Sequence, residues 1–112
     1  MEILKVKINK KELKSKYSGI FTSMVKGVAD IKKELIALDA EMHADLEAFL
    51  LEEGSEQEDL WGFNLYVEKK GEEFIEYTSL INIRPHQNNK SMEISDPRIK
   101  ERVKNTILGW II

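Results

Sequence analysis

The sequence predicts one α+β domain, with a small antiparallel or mixed sheet of about four strands and helices packed mainly on one of its faces. Two observations carry this prediction. Strand-like runs lie near the N-terminus and in the middle of the chain, and amphipathic stripes with helical spacing separate and follow them. Since 112 residues is a common domain size, we expect a single domain over residues 1–112.

The N-terminal region predicts a strand followed by a short helix. In residues 2–8 apolar and polar side chains alternate, as they do in a half-exposed strand. Asn9 and Glu12 match a capping box, which predicts a helix that continues to about Lys16. The Ser18-Gly19 pair is expected to end it.

The stretch from Ser23 to Leu38 predicts an amphipathic helix that covers the sheet. Its apolar residues recur every three or four positions, at Met24, Val28, Ile31, Leu35 and Leu38. Lysine and acidic residues on the opposite side would face water.

Residues 39–54 remain open between two assignments. Residues 39–44 fit a short strand, and Asp45 fits the N-cap of a helix over residues 46–53 that stops at Gly54. Residues 48–51 also fit a buried strand, and periodicity does not decide between the two over so few positions.

The middle of the chain predicts a β-hairpin. Residues 60–67 are aromatic-rich, residues 74–84 are isoleucine-rich, and the charged segment between them contains Gly71. After Pro85 a polar stretch predicts a surface loop. Asp96-Pro97 then predicts the start of a last amphipathic helix.

If Val67 pairs with Ile75 across this turn, each side chain of the hairpin is assigned to one of the two faces of the sheet. One face becomes core, with Trp61, Phe63, Leu65, Val67, Ile75, Tyr77, Ile81 and Ile83. The other face holds Leu60, Gly62, Asn64, Tyr66, Glu76, Thr78, Leu80, Asn82 and Arg84. A register shifted by one would bury Glu76 against Leu65, so the first pairing is favoured.

The second face is expected to be open to solvent and to bind a ligand. Asn64, Asn82 and Arg84 share it, Gln87 can fold over it from the next loop, and His43 joins it if residues 40–44 are a strand. An arginine with several amides suits a polar or anionic ligand, through directional hydrogen bonds. A sheet face that is merely solvated gives the same pattern.

His43 is the candidate acid–base catalyst. On a strand, Glu41, His43 and Asp45 would share one face, so that a carboxylate could orient the imidazole. His43 and Asp45 with His86 loosely match an iron site of two histidines and a carboxylate, but the chain has only these two histidines, and we predict no metal site. The acidic run over residues 52–59 lacks the spacing of a calcium loop and predicts a solvated loop.

The composition excludes several classes of function. Because the chain has no cysteine, thiolate metal sites, a cysteine nucleophile and thiol redox chemistry are excluded, and a reducing cytoplasm is favoured. The apolar runs are far shorter than the ~20 residues of a membrane span, and residues 1–9 do not resemble a signal peptide. No glycine-rich phosphate loop is present, and no cofactor is predicted. We expect a soluble cytoplasmic protein without a membrane partner.

The net charge of −3 hides a segregation along the chain. Residues 1–33 carry nine lysines against three acids, residues 34–77 carry fourteen acids against two lysines, and residues 78–112 carry six bases against three acids. Such asymmetry is compatible with a docking surface for nucleic acid or protein, but solvated helix faces give it more often. Nucleic acid is therefore the minority interpretation for a partner.

Several short segments of the chain have distinctive amino-acid sequences. They are residues 24–26, Glu41-Met42-His43-Ala44-Asp45, residues 50–55 with Gln57, residues 59–66, and Ile81-Asn82-Ile83-Arg84-Pro85 with Gln87 and Asn89. Over about residues 20–100 they resemble a family of short uncharacterised prokaryotic proteins, a domain of unknown function with no established activity. The resemblance implies no mechanism, although its segments include the polar positions of the predicted site.

Three functions follow as hypotheses. The first is a small binding or regulatory module for a polar or anionic ligand on the open sheet face. The second is a small enzyme of hydrolase or nucleotide-processing type that uses His43 with a nearby carboxylate. The third is a protein-interaction module or homodimer that packs through the open face or through Trp110-Ile111-Ile112.

Overall fold

The computed structural model describes residues 1–17 and 23–112 and confirms the α+β fold. These residues form five strands: β1 (Glu2–Ile3), β2 (Met24–Asp30), β3 (Leu35–Leu38), β4 (Leu60–Tyr66) and β5 (Ile75–Glu76). They also form three helices: α1 (Lys10–Tyr17), α2 (His43–Glu52) and α3 (Pro97–Leu108). The strands make one antiparallel sheet in the order β1-β3-β2-β4-β5.

The sheet lies between two hydrophobic clusters. On one face, α1 and α3 pack over a large cluster that includes the buried rings of Trp61 and Phe63. On the other face, Leu46 and Leu50 of α2 pack with Val28 and its neighbours. Two of the three helices therefore share one face, and α2 covers part of the second face. None of the described helices has the length and apolar character needed to cross a membrane.

The predicted helix over residues 23–38 is wrong, because this stretch is the hairpin of β2 and β3. Val28 lies opposite Ala37 across the pair, and Ala29 lies opposite Ile36. Val28 and Ala37 pack towards α2, whereas Ala29 and Ile36 pack towards the other helices. Since helices cover both faces here, the polar alternation of a half-exposed strand is missing, and the apolar spacing resembles that of a helix.

Asp30 forms the turn of this hairpin. Its buried Oδ1 accepts hydrogen bonds from the main-chain nitrogens of Lys32 and Lys33, at 3.0 and 2.9 Å. Its Oδ2 accepts from the Ser55 hydroxyl at 2.7 Å. Glu34 adopts a left-handed conformation with φ of 57° at the end of the turn. The turn is thus built by an aspartate rather than by glycine.

The ends of the chain fold partly as predicted. The capping box is confirmed, because Asn9 Oδ1 accepts from Glu12 N at 2.8 Å and Asn9 N donates to Glu12 Oε1 at 3.4 Å. The predicted helix stop at Ser18-Gly19 lies outside the described residues. The strand predicted over residues 2–8 is only β1, with residues 2 and 3.

The C-terminus is confirmed as a docked helix. Asp96 Oδ1 accepts from Arg98 N at 2.8 Å, with Pro97 at the first helical position. Ile111 is buried in the large cluster, and Trp110 Nε1 donates to Glu34 O at 2.9 Å. Both side chains, which were predicted to be available to a second copy, therefore pack within their own chain.

Residues 39–54, left open by the sequence, contain the helix α2. It begins at His43 and follows Met42 as N-cap, so the predicted capping role of Asp45 is wrong. Asp45 lies in the first turn instead, where its charge favours the helix. Gly54 follows the helix with φ of +100°, a conformation that glycine adopts without strain.

The β4–β5 hairpin is confirmed, with a register two residues from the predicted one. Leu65 lies opposite Ile75 and Asn64 opposite Glu76. A shift of two keeps the paired side chains of β4 and β5 on their predicted faces. The second strand is much shorter than predicted, because β5 ends at Glu76 and 3₁₀ turns follow at Leu80–Asn82 and Pro85–Gln87. Two predicted core positions are wrong as a result: Ile81 packs on the α2 side, and Ile83 is exposed.

Candidate functional site

Asn82 occupies the edge of β4 where the sheet has no further strand. Its Oδ1 accepts from Gly62 N at 2.8 Å, and its Nδ2 donates to Gly62 O and to Met92 O, both at 3.1 Å. A side-chain amide thus makes the two hydrogen bonds that a residue of a neighbouring antiparallel strand would make. Asn82 is fully buried, so its polar atoms are not presented to solvent.

Arg84 is likewise enclosed, with 3% of its surface exposed. Its guanidinium makes five contacts: Nε with Ile81 O at 3.0 Å, Nη1 with Gln57 O at 2.7 Å and Gln87 Oε1 at 3.4 Å, and Nη2 with Leu60 O and with Glu47 Oε2 at 3.3 Å. These contacts match the five N–H donors of an arginine. Burial lowers the pKa of Arg84, and the charge of Glu47 opposes that effect.

Asn89, which the sequence reasoning did not select, organises the same region. Its Nδ2 donates to three carbonyls and its Oδ1 accepts from Ser95 N at 2.8 Å. One of the carbonyls is that of Asn82, at 2.7 Å. The signal that could have found it is an amide-rich loop in which a buried side chain replaces regular hydrogen bonding.

Residues 79–95, which we call the edge segment, are therefore joined to β4 by the buried side chains of Asn82 and Arg84 and held together internally by that of Asn89. Gln87 belongs to the same arrangement, because its Nε2 donates to Glu58 O at 3.1 Å and its Oε1 faces Arg84. The prediction of an open face is wrong at this end of the sheet, where the edge segment and α2 cover it.

The other end of the same face carries three polar residues side by side. Cross-strand pairing sets Lys26 of β2 opposite Asn64 of β4, and Asn64 opposite Glu76 of β5. Directly paired residues share a face, so these three side chains form a row, which we call the polar row. Lys26 is half-buried, Asn64 is buried and Glu76 is exposed. Within the polar row, only Glu76 and part of Lys26 reach solvent at this end of the predicted polar face.

Asn64 contains the unusual atom of the polar row. Its Nδ2 donates to Glu76 Oε1 at 2.8 Å and to Thr78 O at 3.3 Å, and Tyr66 donates to the same Glu76 oxygen at 2.9 Å. Its Oδ1 is buried and accepts no hydrogen bond of normal geometry among the described residues, although the Asn64 side chain interacts with the neighbouring His43 ring. Exchanging Oδ1 and Nδ2 would aim the oxygen at two acceptors, so the network fixes the orientation of the amide.

His43 begins α2 beside this row. Its Nε2 lies 2.8 Å from Phe63 O, and because a carbonyl only accepts, Nε2 carries the hydrogen. Burial lowers the pKa of His43, opposed by the Phe63 hydrogen bond; Lys26 also lowers it, whereas Asn64 and Glu76 raise it. The ring is consequently neutral at neutral pH, and Nδ1 is an acceptor.

A family model matches residues 2–109 of the chain. The chain belongs to that family, which is described as a protein of unknown function (DUF5674). Neither the curated proteins nor the solved structures yielded a match to the chain. The resemblance expected from the sequence is confirmed, and it extends over nearly the whole chain.

In this DUF5674 protein, the predicted trio of His43 with Glu41 and Asp45 does not share a strand face, because these residues lie at the start of a helix. Glu41 and Asp45 are both exposed. The carboxylate whose charge acts on His43 is that of Glu76, on β5. Sequence reasoning placed Glu76 on the correct face but did not select it, since nothing in the sequence shows how close α2 begins to β5.

His86 lies on the exposed Pro85–Gln87 turn. Within the described ranges, Glu56, Glu58 and Asp59 place one carboxylate oxygen each within 4.8 Å of the others. Neither histidine belongs to that acidic group, which lies in the predicted solvated loop.

Proposed function

We propose that this protein is a small binding module for a polar ligand, and that Asn64, Glu76 and His43 recognise the ligand at the end of the sheet face where Glu76 is exposed. The observation that carries the proposal is the partnerless Oδ1 of Asn64. A buried polar atom without a hydrogen bond costs about 1–3 kcal/mol, which a ligand N–H or O–H can recover when it displaces the side chains that cover this atom. Isolated buried acceptors of this kind are rare enough in folded proteins to require an explanation.

The neighbouring groups favour a ligand that donates hydrogen bonds. Glu76 presents a carboxylate and neutral His43 has Nδ1 as an acceptor, so that two acceptors lie near Asn64 Oδ1 beside the Lys26 side chain. The anionic ligand predicted around Arg84 has less support, because the donors of Arg84 are engaged within the fold. The favoured ligand therefore carries an amide, amine, guanidine or hydroxyl group.

A fragment screen by ligand-observed NMR tests the proposal, with separate pools of amides, amines, guanidines, polyols and carboxylates. We expect hits among the first four pools and a loss of binding of about 10-fold or more in Asn64→Leu. Glu76→Gln, a change at an exposed residue, is expected to weaken the charged hits. The matched control is Asn105→Leu, because Asn105 is exposed on α3. Hits only among carboxylates, or equal binding to Asn64→Leu and Asn105→Leu, would contradict the proposal.

A second candidate function is acid–base catalysis on that ligand. It rests on the neutral imidazole of His43, whose burial lowers its pKa, and on the nearby charge of Glu76. The enzyme hypothesis predicts that wild-type protein slowly converts one of the hits, as followed by NMR. His43→Gln should then lose conversion even at ligand concentrations that saturate the variant. If no hit is converted, the binding function stands alone.

A further inference from the structure

We propose that a groove on the opposite face of the sheet is a second ligand site, for a small phosphate-bearing molecule with a planar or apolar part. The groove has a volume of about 760 Å³ and lies between the start of α1, β5 and α3. Its size is typical of small-molecule sites. Ile75 and Tyr77 line it, whereas Glu76 between them belongs to the polar row. The two sites therefore lie on opposite sides of β5, and neither requires the other.

Three lysines give the groove its positive charge. Lys10 comes from the basic segment at the start of the chain, and Lys100 and Lys104 come from the basic segment at its end. The fold brings together two segments that the sequence separates. Glu72 and Glu101 also line the groove, which leaves one positive charge in excess. Within residues 1–17 and 23–112, however, no carboxylate lies within 4.0 Å of any of these three lysines.

The three lysines lie at positions where their positive charges reduce the stability of the helices that contain them. Lys10 is the first residue of α1, where the helix dipole disfavours a positive charge. Lys100 and Lys104 are four residues apart on α3, so their like charges are neighbours on one helix face. Residues that oppose the stability of their own helices are typical of functional sites. An anion between these lysines would offset their mutual repulsion.

Two aromatic rings of the groove contact lysine ammonium groups. Lys10 Nζ lies 4.2 Å from the centre of the Phe74 ring, and Lys100 Nζ lies 4.9 Å from the centre of the Tyr77 ring. Burial, together with the charges of Glu101 and Glu72, raises the pKa of Tyr77 to about 12. The phenol is therefore protonated at neutral pH and remains a hydrogen-bond donor.

These groups match a phosphate monoester better than a carboxylate. A phosphate monoester carries about −1.5 to −2 charges near neutral pH and has three strong acceptor oxygens, which suits several lysines and a phenol. The exposed side chain of Leu108, which lines the groove, gives a planar or apolar group a surface to contact. A nucleoside monophosphate combines both parts and is the appropriate probe.

Titrations of the full chain with adenosine 5′-monophosphate, inorganic phosphate and adenosine test the proposal. We expect the nucleotide to bind most tightly, phosphate to compete with it, and adenosine to bind at least about 10-fold more weakly. The Lys100→Gln/Lys104→Gln double variant should weaken nucleotide binding by about 10-fold or more. The Lys5→Gln/Lys7→Gln double variant is the control, because it removes the same charge at exposed positions outside the groove and should change binding by less than about 2-fold.

Two-dimensional NMR spectra recorded during the titration locate the site at which the nucleotide binds. Shifts at Tyr77 and Lys100 support the groove, whereas shifts confined to Asn64 and His43 overturn it. The proposal is also overturned by absence of nucleotide binding at about 10 mM, or by equal losses in the two double variants. Thermal melting of both variants confirms that they fold. Because the donor-bearing fragments are expected to shift the polar row instead, failure of one site is distinguishable from failure of the other.

Discussion

The Asn82 side chain and the main chain of Gly62 are paired like residues of adjacent strands, with the amide oxygen 2.8 Å from Gly62 N and the amide nitrogen 3.1 Å from Gly62 O. The arrangement completes the hydrogen bonding of β4 at a point where β5 has already ended. It also explains why an asparagine expected on an open face is fully buried.

Replacing Asn82 with alanine is expected to lower the free energy of unfolding by about 3 kcal/mol, because it leaves buried main-chain groups of Gly62 without partners. Asn82→Asp should be at least as damaging, since it places an acceptor against Gly62 O. Urea denaturation measures both, with Asn105→Ala as the exposed control. A loss below about 1 kcal/mol would show that the pairing is dispensable.

Gly62 is required by the close approach of the edge segment. A Cβ atom at this position would lie 2.5 Å from Ser79 Cβ and 2.7 Å from Ser79 Oγ. We expect Gly62→Ala to destabilise the fold by about 2 kcal/mol or more. Adding Ser79→Gly removes the clash, so the double variant should recover at least about 1 kcal/mol relative to the sum of the single effects. Strict additivity in this double-mutant cycle would contradict the contact.

Arg84→Lys separates the structural role of Arg84 from the predicted role as a ligand anchor. A lysine cannot reproduce five contacts around a planar guanidinium, so we expect a loss of about 2–4 kcal/mol in the absence of any ligand. Arg98→Lys is the matched control, because the Arg98 side chain is 91% exposed, and its effect should lie within about 0.5 kcal/mol. Equal stabilities of the two variants would favour a ligand role for Arg84.

The pKa of His43 predicts how stability changes with pH. Burial lowers this pKa below its ordinary value of 6.5, so at pH values between the folded and unfolded pKa the unfolded chain binds more protons. The contribution of the neutral ring to stability is complete above pH 6.5 and is lost as the pH falls towards the folded pKa. We therefore expect the free energy of unfolding to decrease from about pH 7.5 to about pH 5.

His43→Gln should flatten that part of the pH profile, whereas His86→Gln, at an exposed position, should leave its slope unchanged. Denaturation at a series of pH values gives the comparison. If His43→Gln keeps the same slope, the pH dependence of stability comes from other groups. That result would contradict the lowered pKa of His43.

Local signals in the sequence predicted local structure well. The capping box at Asn9 and Glu12, the Asp96-Pro97 start of α3 and the faces of the β4–β5 hairpin depend on neighbouring residues alone. The helix predicted over residues 23–38 failed because its apolar spacing arises from two strands that are each covered on both faces. The turn between these strands uses the Asp30 carboxylate, and a lone aspartate in a lysine-rich stretch gives little warning of it.

The candidate site was predictable only in part, for a related reason. Register placed Asn64, Asn82 and Arg84 on one face, which is correct for Asn64 in the polar row. Register does not show which end of a face a distant segment will cover. The edge segment packs against β4, and its own residues Asn82 and Arg84 are buried there. This packing depends on hydrogen bonds between side chains and main-chain carbonyls, which have no recognisable sequence pattern.

The most direct test of the central claim is a two-dimensional ¹H–¹⁵N NMR titration with the best donor-bearing fragment, recorded on the side-chain amide of Asn64 and the ring nitrogens of His43. Ring nitrogen shifts of the free protein should show Nε2 protonated and Nδ1 unprotonated at neutral pH. On addition of ligand, the account predicts saturable shifts of both groups and little change at the Asn82 and Asn89 side-chain amides. Saturable shifts at Asn82 or Asn89, with Asn64 and His43 unchanged, would contradict it.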